Sequence, residues 1–252
     1  MTIKPTQADL TFYLNVYHDL DLLPGCLSQL RQVYPQSRLI LRSDGDPDSA
    51  IAEMAQKYNG ECYYGERLMG IEKGGEIVHE MLRLFLIHKT AYLFKIDPDT
   101  RIVRPFTALP DHGCVFGTLQ HQGELFSIQG GCLGFTLDAA QTFYSSQFFL
   151  DPALTKRPPP WVITKDLARR PMQLALTSID WVVGWACKKM GVELVDWPEI
   201  MSEWQVTPEN EDLRYAVTHP HKLGPPIPGA ERCALRYGEN VISMTGHSIA
   251  NE

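Results

Sequence analysis

The chain has 252 residues, 44% of them hydrophobic and 21% charged, which is enough apolar material for a substantial core and speaks against a disordered chain. Lys and Arg total 23 against 30 Asp and Glu, a formal net charge of −7. This balance argues against duplex nucleic acid as a partner, and an anionic ligand would have to meet a few placed cations or a divalent ion. The six cysteines are scattered and form no C-x-x-C pair. Free buried thiols in a reducing cytoplasm are therefore expected, rather than a zinc site or a disulfide framework. Residues 1–10 lack a signal-type apolar run, and no stretch reaches the roughly 20 apolar residues of a membrane span. A soluble, cytoplasmic protein is the expectation.

Thr11 to Tyr17 is rich in aromatic and β-branched residues and reads as a strand. Asp19 or Asp21 can cap the next helix, with Pro24 in its first turn and Leu23, Leu27, Leu30 and Val33 at helical spacing. Arg38 to Arg42 is a second strand, closed by Ser43-Asp44-Gly45. A helix starting near Asp48 or Ser49 places Ile51, Met54, Ala55 and Tyr58 on one face, and Asn59-Gly60 stops it. Glu61 to Tyr64 is a short third strand. Gly74-Gly75 opens a longer helix whose inner face holds Ile77, Met81, Leu84, Phe85 and His88. Ala91 to Ile96 is a continuous, mostly apolar strand of the kind buried on both faces.

This alternation predicts an α/β fold with a mostly parallel central sheet flanked by helices. Ligands of such sheets gather beyond the carboxyl ends of the strands. Tyr17, Asp44 and Asp97-Pro98-Asp99 all fall at that edge. Further strands are expected at Cys114 to Leu119 and Gly131 to Thr136. Lys156 to Trp161 reads as a Pro-rich loop, and Ser178 to Met190 as a helix capped by Thr177 or Ser178 and ended by Gly191. The tail after Trp204 carries five prolines and should be irregular, in the manner of a flap.

Asp97-Pro98-Asp99 is the segment with the clearest chemistry. Extended backbone would send both carboxylates to one side. Mg2+ or Mn2+ takes such ligands together with water and phosphate oxygens, and would neutralise a departing diphosphate. The same residues also suit a plain polar turn. Lys73-Gly74-Gly75 sets free N–H groups and an ammonium at a helix start, as an anion site requires, although a glycine-led helix start has many other uses. Gly130-Gly131 would let backbone approach a ligand closely, or form a tight turn. Asp180 stands in a first helical turn, where the helix dipole should keep its pKa low. All five tryptophans lie between residues 161 and 204. Core packing accounts for most of them, while Trp161 or Trp204 could form a platform for a sugar.

Ala91 to Phe106 (AYLFKIDPDTRIVRPF) resembles the D-x-D segment of glycosyltransferases with the GT-A fold, nearest the family 2-like group. The resemblance implies a single domain over residues 1–252. Residues 1–106 would be its nucleotide-binding half, 107–204 the acceptor side and 205–252 a tail or flap. It implies transfer of one sugar from a UDP- or GDP-linked donor to a saccharide or lipid-linked acceptor, with Mn2+ or Mg2+ on the donor diphosphate. Asp99 would be a direct metal ligand, and Asp97 a ligand through water or a ribose contact. Tyr17, Asp44, Lys73, Gly74, Gly75, Gly130 and Gly131 would meet the donor. Asp180 stands where the family's acidic residue deprotonates the acceptor in inverting members, although Ile179 replaces the glutamate of the usual E-D pair. His219 is the first choice for a histidine ligand from the C-terminal segment, ahead of His221 and His247. The absence of a Q-x-x-R-W signature argues against a processive synthase. Two other readings are weighed against this one. An apolar strand followed by D-x-D also resembles haloacid dehalogenase-type phosphohydrolases, with Asp97 as nucleophile, but that motif normally opens the core domain, whereas here three strands precede it. A non-catalytic nucleotide-sugar or carbohydrate-binding protein would need no base at Asp180.

Overall fold

The computed structural model describes residues 1–17, 19–45, 47–68, 73–122, 125–151, 178–202 and 214–219. The short strand β1 (Thr2–Ile3) comes first. Then β2 (Leu10–Val16), α1 (Leu23–Val33), β3 (Arg38–Asp44), α2 (Ser49–Lys57), β4 (Glu61–Gly65), α3 (Gly74–His88) and β5 (Tyr92–Ile96) alternate as expected. The second half holds β6 (Arg101–Ile102), β7 (Leu109–Pro110), β8 (Cys114–Gln122), β9 (Leu125–Thr136), α4 (Leu137–Ser146), α5 (Ile179–Met190), β10 (Glu193–Asp196), β11 (Ile200–Met201) and β12 (Val217–Thr218).

Seven strands form one sheet in the order β10-β8-β9-β5-β2-β3-β4. β5, β2, β3 and β4 are mutually parallel, and β9 enters antiparallel to both β5 and β8. The sheet is therefore mixed: β10 pairs parallel to β8, so β9 alone runs against the other six strands, four of which come from the alternating first hundred residues. Side chains leave successive positions on opposite faces. Phe12, Leu14, Phe94 and Ile96 pack under α1 and α2, while Tyr13, Leu93, Leu133 and Phe135 pack with α3, α4 and α5. Both faces are covered, which is why β5 is apolar at every position except Lys95.

Several local expectations meet their physical causes here. Asp48 caps α2 by accepting from the Ala50 N–H at 2.9 Å. Gly191, at φ 68°, ends α5. Asp19 and Asp21 do not cap α1: Leu22 holds that position, and the Asp19 main-chain carbonyl accepts from the N–H groups of Leu22 and Leu23 instead. Trp181 and Trp185 are each 1% exposed and belong to the core. Truncating such a buried aromatic costs about 3–5 kcal/mol, so α5 is firmly seated and its first turn has a fixed place. Cys26, Cys114, Cys132 and Cys187 are buried free thiols.

Of the tail, residues 214–219 are described, and they include one short strand. β12 pairs parallel to β11 and antiparallel to β6. The Glu199 carboxylate ties this small sheet down by accepting from Arg104, the Thr107 N–H and hydroxyl, and the Ala108 N–H. The Pro-rich loop, Trp161, Trp204, His221 and His247 lie outside the described residues. No described helix is long and apolar enough to cross a membrane.

Candidate metal centre

β5 ends at Ile96, and residues 97–100 turn rather than continue extended. The Thr100 N–H donates to the Asp97 carbonyl at 2.9 Å, and Pro98 suits the second position of such a turn. The Thr100 hydroxyl accepts from the Asp97 N–H at 3.0 Å and donates to the Gly131 carbonyl at 2.8 Å, which pins the turn to β9. The two carboxylates still converge, through the turn and not through the alternation of an extended strand.

His219 follows β12 and is held by its N–H on the Met201 carbonyl at 2.8 Å. Its Nε2 lies 3.0 Å from Asp99 Oδ1 and 3.6 Å from Asp97 Oδ2. Ser202 Oγ lies 3.2 Å from Nδ1. The hydroxyl therefore occupies one ring nitrogen and leaves the other facing the carboxylates, as an outer partner of a ligating histidine does. Burial alone would lower the imidazole pKa. The charge and hydrogen bond of Asp99, with the charge of Asp97, outweigh it and raise the pKa above 6.5.

Asp97, Asp99 and His219 place one ligand atom each within 4.8 Å of one another. Metal–ligand bonds of roughly 2.1 Å in an octahedron require ligand pairs roughly 3 Å apart on its edges and roughly 4.2 Å apart across it. The separations from His219 fall within that span. Two carboxylate oxygens and an imidazole nitrogen are a ligand set that could hold a divalent metal ion.

Asp180, in the first turn of α5, approaches the same place from the other side of β9. A Cβ built on Gly130 would stand 2.2 Å from Asp180 Oδ1, and one built on Gly131 would stand 2.1 Å from His219 Nδ1. The glycine pair is therefore not a turn. It lies inside β9, and its missing side chains make room for one acidic group on one face and the imidazole on the other. Burial pushes the Asp180 carboxyl up from 3.8 to about 6, with Lys95 and the Gly130 N–H pulling it down and Asp97 adding to the rise. The low pKa expected from the helix dipole is thus overturned, because desolvation under the sheet outweighs the helix terminus.

Lys95 carries a role that its position in an apolar strand had concealed. It is 4% exposed, with Nζ 2.5 Å from Asp97 Oδ1 and donating also to the Gly130 carbonyl. A charged residue inside a run such as Tyr92–Ile96 was the available signal, since buried lysines require partners.

The other candidate residues form separate groups. Asp44 is buried against Arg42 at 2.6 Å and accepts from the Leu68 N–H at 2.7 Å. The Arg67 guanidinium lies over the Tyr17 ring, 3.3 Å from its centroid. A cavity of about 450 Å³ opens beside Asp44, lined by Arg42, Glu66, Leu68, Glu76, His79 and Glu80 among others. Arg42 Nε and His79 Nδ1 are buried there without a hydrogen-bond partner. Lys73 pairs with Glu76 at 3.9 Å. Gly75 is required by packing: a Cβ there would lie 2.6 Å from the Phe149 carbonyl oxygen. A scan against protein-family models and a search of curated proteins found no match for this chain.

Proposed function

We propose that the chain is a metal-dependent glycosyltransferase of the GT-A, family 2-like kind, moving one sugar from a nucleotide-diphosphate sugar to a saccharide or lipid-linked acceptor. The observation that carries this reading is the convergence of Asp97, Asp99, His219 and Asp180 around Gly130-Gly131. Asp97 and Asp99 lie just past the carboxyl end of β5, where α/β sheets bind their ligands, and His219 meets them from the end of β12. The strand order, with β9 antiparallel beside β5, suits a single domain in which donor and acceptor meet across that edge.

Asp97, Asp99 and His219 would hold Mn2+ or Mg2+, which supplies charge neutralisation to the donor diphosphate. The cavity lined by Arg42, Leu68 and His79, next to Asp44, would give the nucleoside a place. Asp180 is the base. A carboxylate with a pKa of about 6 is ionised at neutral pH and takes a proton more readily than an ordinary aspartate. Its proton comes from the acceptor hydroxyl, whose oxygen then attacks the anomeric carbon on the face opposite the leaving diphosphate, inverting the configuration. Lys95 and the Gly130 N–H hold the groups around the base in register.

The test is incubation with Mn2+ and a panel of UDP- and GDP-sugars, with and without saccharide acceptors, reading nucleotide release. Release that depends on Mn2+ and is lost in Asp99→Ala is the expected result. Phosphate release from simple phosphoesters without any nucleotide would instead favour the hydrolase. Tight donor binding with no turnover by any acceptor would favour a binding protein.

A further inference from the structure

Lys95 is the one residue of Tyr92–Ile96 whose burial costs free energy on its own account. Three carboxylates surround its end of the sheet: Asp97, Asp99 and Asp180. Its ammonium touches only one oxygen of Asp97, namely Oδ1, and the second contact is the Gly130 carbonyl. The other oxygen, Oδ2, is the one that faces His219. The charge of Lys95 also acts on Asp180 and His219. A divalent ion held by Asp97, Asp99 and a neutral His219 would therefore sit across a single carboxylate from a fixed positive charge.

We propose that Lys95 is the resident cation of the metal group: it restricts Asp97 to one ligand oxygen and limits how tightly a divalent ion is held. The inference rests on the metal reading above. Among the described residues, Asp97, Asp99 and Asp180 set against Lys95 and one divalent ion sum to no net charge before an anionic diphosphate enters. Without Lys95 the group would retain a negative charge, grip the ion harder and oppose the diphosphate. Lys95 is thus a positioning residue, and it need not touch the donor. An ion pair that served the fold alone would have the opposite signature, because removing it would loosen Asp97 and weaken ion binding or leave it unchanged.

The test is Mn2+ binding by isothermal titration calorimetry to the wild type, Lys95→Met and Lys95→Arg, with melting curves in EDTA and in Mn2+. Lys95→Met should bind Mn2+ at least about tenfold more tightly, a modest figure because Asp97 is 31% exposed and solvent screens the repulsion. Lys95→Arg keeps the charge and should stay within about threefold of the wild type. In EDTA the Lys95→Met protein should melt below the wild type, and Mn2+ should raise its melting temperature by more. If the wild type binds Mn2+ and Lys95→Met binds it equally or more weakly, the assignment of Lys95 is overturned and the metal reading stands. If the wild type binds no Mn2+, the metal reading falls, and this inference falls with it.

Discussion

Replacing Asp180 by Asn should make the protein more stable and less active. The carboxyl titrates at about 6 where an ordinary one titrates at 3.8. The gap of about two units corresponds to ~3 kcal/mol. Its sign follows from proton uptake. Between the two values the folded protein holds a proton that the unfolded chain has released, so stability falls as pH rises through that window. Above about 6 the folded protein carries a half-buried, ionised Asp180 and the full penalty. Asn is nearly isosteric, still accepts the Gly130 N–H and has no charge to desolvate. In EDTA, urea unfolding followed by circular dichroism should find Asp180→Asn more stable by about 2–3 kcal/mol near pH 7.5. The advantage should shrink below pH 6 and vanish near pH 4, where both proteins are neutral at this position. Nucleotide release should fall at the same time, since Asn cannot take the acceptor proton. Equal stabilities at neutral pH, or an advantage that persists undiminished at pH 4, would refute the reasoning.

The two glycines of β9 should separate metal binding from catalysis. Gly131→Ala drives a methyl into His219 and should weaken Mn2+ binding by about tenfold or more. Gly130→Ala drives one into Asp180 and should cut turnover by about a hundredfold with Mn2+ binding retained. Calorimetry and nucleotide release on both variants check the pair, and identical losses in both assays would count against separate roles. Glu199→Ala removes the clasp beneath the small sheet that presents His219. It should cost about 2–3 kcal/mol in urea unfolding. It should also weaken Mn2+ binding, although Glu199 lies outside the three ligands; an unchanged affinity would show that His219 is seated without it.

Much of the parallel half was legible in the chain. Leu23, Leu27 and Leu30 recur at the helical period, and all three are buried in α1. Asp48 and Gly191 punctuate their helices as their chemistry requires. Asp97 and Asp99 stood out because an apolar strand ended on them. The second half was harder to read. β10, β11 and β12 are four, two and two residues long, too short to show a period, and they exist through pairing with distant strands. Asp180 reads as an acidic residue in a first helical turn, a local feature that favours a low pKa, and burial by the folded chain reverses that direction.

The chain by itself determined the alternation of strands and helices and the place of Asp97 and Asp99 at a strand end. Those features depend on residues within a few positions of one another, through side-chain direction, capping and the conformational limits of Pro and Gly. Tertiary structure decided what faces the two carboxylates. His219 reaches Asp99 across 120 positions of sequence, Lys95 turns from an oddity in an apolar run into a counter-charge, and Gly130-Gly131 prove to be clearances for Asp180 and His219. Which groups meet at this site follows from the pairing order of the sheet and the packing of α5 beneath it, and no local period encodes either.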